Sequence, residues 1–107
     1  READGLALSS RNRRLSPEDR RAAPVLFEAL ESLRRQIAGG ATTVADVRGA
    51  AVTLIEQRPG VALEYLEVVD LEEMQPVTII DRPVIGAGAI WVGATRLIDN
   101  VLCVPPS

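Results

Sequence analysis

The chain has 107 residues, enough for one small domain with a true core and a large wet surface. With 47% hydrophobic and 25% charged residues it has too much apolar content to stay disordered, and its net charge of −3 argues against non-specific nucleic-acid binding. It contains no histidine and a single cysteine, which excludes a histidine base, a histidine metal site and an internal disulfide.

Residues 1–14 lack a clean period. Asp4-Gly5 is a turn signal, Leu6 to Leu8 is short enough for one extended piece, and Ser9-Ser10-Arg11-Asn12-Arg13-Arg14 is polar and basic. Ser16-Pro17-Glu18-Asp19 then reads as a helix start. Ser16 serves as N-cap, Pro17 fits the first helical position, and two acids complement the dipole. Ala22, Leu26, Ala29, Leu30, Leu33 and Ile37 recur at helical spacing, with Pro24 inside the pattern, so a kink or a short helix before a longer one is expected. Gly39-Gly40 closes the element.

A second helix follows, with Thr43 as its cap and Asp46 as reciprocal partner. Its buried stripe is Val44, Val47, Ala51, Leu54 and Ile55, and Pro59-Gly60 stops it. Beyond that point β-branched residues dominate. Val61 to Val69 reads as a half-buried strand, Asp70 to Pro76 as a turn or a single helical turn, Val84 to Val92 as a strand loosened by Gly86 and Gly88, and Thr95 to Val104 as its hairpin partner. The fold class is therefore α+β, a small three-stranded antiparallel sheet covered by two main helices. Cys103, in an apolar run, is expected to be a small buried hydrophobe. Strict alternation puts Arg96 and Asp99 on opposite faces, and Glu64 and Glu67 likewise. Arg96 is expected to reach a helix carboxylate or a partner domain, and Asn100 to satisfy sheet backbone.

The residues richest in chemistry lie in Gly5 to Asn12. Ser9 and Ser10 offer hydroxyls, the backbone offers N–H groups, and Arg11 offers a permanent, forked charge, a set suited to gripping phosphate oxygens. The same residues equally suit a solvated loop in which Ser and Asn side chains cap local turns. The neighbouring Arg13, Arg14, Arg20 and Arg21 extend a basic rim, of which all but Arg11 are expected to be mostly solvated. No stretch is long and apolar enough for a membrane helix and no signal peptide is visible, so a soluble, cytoplasmic chain is the default expectation.

The segment Asp4-Gly5-Leu6-Ala7-Leu8-Ser9-Ser10-Arg11-Asn12, followed by Leu15-Ser16 and Arg20, closely resembles the stretch joining the two domains of pantothenate synthetases, the pantoate–β-alanine ligases. Tyr65-Leu66-Glu67-Val68-Val69-Asp70 is similar to a strand of that family's second domain, and Gly93-Ala94-Thr95-Arg96-Leu97-Ile98-Asp99-Asn100 to its terminal strand. The blocks occur in the family's order and span nearly the whole chain.

The resemblance implies a division at residue 14: residues 1–14 as an interdomain, ATP-phosphate loop, and residues 15–107 as the carboxy-terminal lid domain. The family's Rossmann-like first domain, with its His-x-Gly-His motif, pantoate pocket and dimer contacts, has no counterpart here. In the family, pantoate and ATP form a pantoyl adenylate, and β-alanine displaces AMP to give pantothenate. The stretch matching Leu8, Ser9, Ser10 and Arg11 contacts ATP there, as does the mobile phosphate loop of class I aminoacyl-tRNA synthetases. The resemblance thus implies ATP-binding roles for Leu8, Ser9, Ser10 and Arg11. Arg11 would be the catalytic cation facing the departing pyrophosphate, and Mg²⁺ would arrive with ATP rather than on ligands of this chain. It also implies a homodimeric full enzyme, and a fragment that is inactive and flexible in this loop when alone. The rival expectation is a non-catalytic small-ligand-binding or protein-interaction domain, in which residues 1–14 are only a linker.

Overall fold

A computed structural model describes residues 1–106; Ser107, the last residue of the Pro-Pro-Ser end, lies outside them. A 3₁₀ turn at Ser10–Arg14 precedes α1 (Pro17–Ala22), α2 (Val25–Ala38) and α3 (Val44–Glu56), and then β1 (Val61–Asp70), β2 (Val84–Val92) and β3 (Thr95–Cys103). The strands form one antiparallel sheet in the order β1-β2-β3, with α2 and α3 packed on it, so the α+β reading holds.

The helix boundaries follow from caps and breakers. Ser16 Oγ accepts the Asp19 N–H at 3.1 Å, and Pro17 opens α1. Pro24 occupies the N-cap position of α2, where a missing N–H leaves no helical bond unmade, so the chain makes a short helix and then a longer one. The expected stripe from Ala22 to Ile37 is buried throughout. Gly40, at φ +105°, ends the run in a conformation other residues avoid.

The start of α3 corrects the sequence reading. Thr43 is its N-cap residue but makes no side-chain cap, and the box with Asp46 does not form. Thr43 is instead extended and bridges Ile79, while the Val44 N–H donates to the Thr78 carbonyl at 3.0 Å and the Ile80 N–H to the Thr42 carbonyl at 2.8 Å. The passing main chain thus satisfies the first of the free N–H groups of α3, while the Thr43 side chain caps none. Leu54 also departs from the expected stripe and is exposed at the rim between α2 and α3.

The sheet has two unlike faces. Val84, Gly86, Gly88, Ile90 and Val92 of β2 alternate toward the helices and are all buried. Gly86 and Gly88 are contact points here, not weak spots. A Cβ at Gly86 would come within 2.9 Å of Leu33 Cδ1, and one at Gly88 within 2.9 Å of Leu26 Cδ1. Their bare backbone lets α2 sit close to the strand. Cys103 is buried on this face, as expected, and burial pushes its thiol pKa up. Gly93, at φ +59°, closes the β2–β3 hairpin against Asp19.

Candidate functional site

The segment before α1 is tied down by polar contacts. The Glu2 N–H donates to the Leu6 carbonyl at 2.8 Å and the Gly5 N–H returns to the Glu2 carbonyl at 3.0 Å, a closed turn with Gly5 at φ +96°. Leu6 then drops into the core. Asn12 Nδ2 donates to the Ala7 carbonyl at 3.0 Å and to Glu2 Oε2 at 2.6 Å, clasping the ends of the Ala7–Arg11 stretch. Arg20 of α1 holds Asp4 and Glu2 together. Its hydrogen bonds keep the Asp4 carboxyl below the ordinary carboxylate range.

This clasp presents Leu8, Ser9, Ser10 and Arg11 outward, all exposed. Ser9 caps the 3₁₀ turn, its Oγ accepting the Arg11 N–H at 3.1 Å. The local-cap reading is therefore realised at Ser9, yet the hydroxyl proton stays available to donate. Ser10 Oγ and the Arg11 guanidinium have no hydrogen-bond or ion-pair partner among the described residues. Leu8, Ser9 and Arg11 line one wall of a cleft of about 420 Å³; Leu26 and Phe27 of α2 form its floor, and Arg96 to Asp99 of β3 the opposite wall. Ser10 does not face this cleft. Arg11 also borders a shallower hollow of about 290 Å³ shared with Arg14, Trp91 and Arg96.

The remaining residues singled out in the sequence have structural partners, several of them unexpected. Arg96 and Asp99 do lie on opposite faces and do not pair with each other. Arg96 does not reach a helix carboxylate. It forks onto Glu64 with both contacts at 2.8 Å, and Trp91 Nε1 donates to the same carboxylate at 2.9 Å. Arg96 holds the Glu64 pKa below its usual value, with a smaller contribution from Trp91. The cause lies in β1, whose register shifts between Leu63 and Tyr65 and turns Glu64 onto the face carrying Glu67 and Trp91. Strict alternation therefore misplaced Glu64. Asn100 is exposed and its side chain satisfies no backbone among the described residues; Asp99 Oδ1 instead accepts the Asn100 N–H at 2.8 Å.

Two participants carried no local signal. Asn12 was legible only as a generic turn former, because its partners lie five and ten residues away. Arg1 reaches across 98 positions to Asp99, a separation no periodicity reveals. Among the described residues no group of three His, Cys, Asp or Glu side chains is placed to hold a metal ion.

A two-helix cover on a three-stranded antiparallel sheet, with a basic serine-containing turn beside it, defines a small two-layer α+β domain. The family model for pantoate–β-alanine ligase matches residues 1–102, and the chain belongs to that family. It is 41% identical over 102 residues to a pantothenate synthetase of Thermotoga neapolitana, covering 95% of this chain and 36% of the relative. A solved pantothenate synthetase from Thermus thermophilus superposes with a TM-score of 0.90 at 40% identity, over 99% of this chain and 38% of that one. A pantoate–β-alanine ligase from Francisella tularensis, complexed with β-γ ATP and β-alanine, matches with a TM-score of 0.52 at 25% identity, over 95% of this chain and 30% of that one. The chain thus spans about a third of the length of the relatives it matches.

Proposed function

We propose that this domain is the carboxy-terminal lid of an ATP-dependent ligase that joins pantoate to β-alanine through a pantoyl adenylate, and that residues 1–14 are its phosphate-gripping loop. The observation that carries the reading is the clasped turn at Leu8–Arg11, which sets an unpaired guanidinium and a serine hydroxyl on the wall of a cleft in a chain of this family.

In the first step a pantoate carboxylate oxygen bonds to the α-phosphorus of ATP while the α–β bridging P–O bond breaks, and pyrophosphate departs with its negative charge. In the second the β-alanine amine bonds to the acyl carbon, AMP leaves, and the amine gives up its proton. Arg11 acts in the first step. A fixed cation beside the β- and γ-phosphates is worth most when charge moves onto the leaving group. Ser9 donates its hydroxyl proton to a phosphate oxygen while its lone pair holds the turn. Ser10 serves the outer side of the same phosphates, and Leu8 packs beside the nucleotide. Closure of the lid excludes water from the acyl adenylate. Mg²⁺ fits this chain only as an ion carried on the nucleotide phosphates, since Asp99, the one carboxylate lining the cleft among the described residues, is taken by Arg1.

Pantoate and most of the β-alanine contacts belong to a Rossmann-like first domain, and the 107 residues alone are inactive in this reading. The test is Arg11→Ala in a full-length pantothenate synthetase carrying this chain as its carboxy-terminal part. Adenylate formation should fall about 10²- to 10³-fold. An unchanged rate rules out the phosphate role. A chain that binds its partner but supports no adenylate formation at all would favour an interaction domain instead.

A further inference from the structure

The cleft wall opposite Arg11 contains a carboxylate, which is an obstacle to any phosphate entering. Asp99 lines the cleft with a side chain only 10% exposed, so water screens it weakly. Left alone, it would repel a polyphosphate over the few ångströms that separate groups in a space of about 420 Å³.

One guanidinium answers it. Arg1 forks onto the Asp99 carboxylate, with Nη1 on Oδ2 and Nη2 at 2.9 Å from Oδ1. The same group donates to the Gly5 carbonyl at 2.9 Å and lies 4.4 Å from the centroid of the Phe27 ring. It therefore joins β3, the turn before the phosphate loop, and α2. Gly5 is fitted to the arrangement, since a Cβ there would fall 2.3 Å from Phe27 Cδ2. Asp99 has no other cationic partner among the described residues.

We infer that Arg1 is a positioning residue for the nucleotide: it cancels the Asp99 charge and fixes the turn that leads into Leu8–Arg11, so that the Arg11 charge faces a polyphosphate unopposed, Arg96 being already paired with Glu64. This rests on the phosphate role of the cleft. Arg1 touches no substrate in this account and acts through Asp99.

The experiment uses the full-length synthetase carrying this chain and compares wild type, Arg1→Gln, Arg1→Lys, Asp99→Asn and the Arg1→Gln/Asp99→Asn pair. Arg1→Gln should raise the KM for ATP roughly tenfold, the size of one charge-assisted contact, with the KM for pantoate unmoved. Arg1→Lys keeps the charge but loses the fork, so its KM for ATP should lie between those of wild type and Arg1→Gln, and a KM as high as that of Arg1→Gln would show that cancelling the Asp99 charge is not what matters. The double variant should recover most of the ATP defect, because the uncompensated carboxylate is gone. An unmoved KM for ATP in Arg1→Gln overturns the inference. So does a defect shared equally by ATP and pantoate that Asp99→Asn fails to relieve, which marks a merely structural contact. Arg11→Ala in the same assay separates the two readings: without an effect there, the phosphate assignment itself fails, whereas an Arg11 effect without an Arg1 effect removes only the inference about Arg1.

Discussion

Residues 1–15 bury one large side chain, Leu6, whereas α2 by itself buries six residues against the sheet. The first region is held by Arg1 on Asp99, Arg20 on Glu2 and Asp4, and Asn12 on Glu2 and Ala7. The second is held by close packing, tight enough that a Cβ at Gly86 or Gly88 would press to 2.9 Å on a leucine methyl of α2. Polar ties respond to pH and salt, and apolar packing barely does. The domain therefore joins a body that should stay folded over a wide range to a loop whose geometry depends on its charges.

Substitutions in the body should give the largest effects. Leu30→Ala opens a cavity at a fully buried site and should cost about 2–5 kcal/mol in urea unfolding, far more than the loss of any one polar tie in residues 1–15. Gly88→Val would drive a side chain into Leu26 and Leu66 and should cost about 1–3 kcal/mol in the same assay. If either variant unfolds at the wild-type midpoint, the packing account of the body is wrong.

The charged ties should show in pH. The Arg20, Arg34 and Arg96 contacts lower the folded-state pKa values of Asp4, Glu31 and Glu64. Depressed carboxylates add stability above the unfolded pKa of about 4 and lose it as pH falls through the folded value. The protection factors of the Gly5, Leu6 and Asn12 amides, corrected for the intrinsic exchange rate at each pH, should therefore fall between about pH 4 and pH 2, ahead of those of the α2 amides. Simultaneous loss of protection in both regions would erase the contrast. The smallest expected effect belongs to Glu64→Gln, which frees the Trp91 indole from a charged partner. It should shift the emission of the chain's one tryptophan while leaving the unfolding midpoint in place. A silent emission would contradict the Glu64–Trp91 contact.

Most of the body was legible because its signals are local. The period from Ala22 to Ile37, the Ser16-Pro17 start and the Gly93 hairpin each sit within a few residues of what they determine. The misses share the opposite property. Thr43 yields its cap to a strand-like segment more than thirty residues on, Glu64 is turned by a register shift that depends on β2, and Arg1 finds Asp99 at the far end of the chain. The candidate site was half legible. Ser9, Ser10 and Arg11 stood out by type and by family resemblance, but the cleft they border is made by α2 and β3. Only the folded chain brings Phe27 and Asp99 opposite them.

The most direct measurement is pantoate-dependent exchange of labelled pyrophosphate into ATP by a full-length synthetase carrying this chain, comparing Arg11→Ala with Arg13→Ala. Both remove one exposed arginine from the same 3₁₀ turn, but only Arg11 lines the cleft. The expected result is an exchange rate about a hundredfold or more below wild type for Arg11→Ala and within about threefold of it for Arg13→Ala. Equal rates in the two variants would contradict the assignment of the cleft, and of Arg11, to the triphosphate.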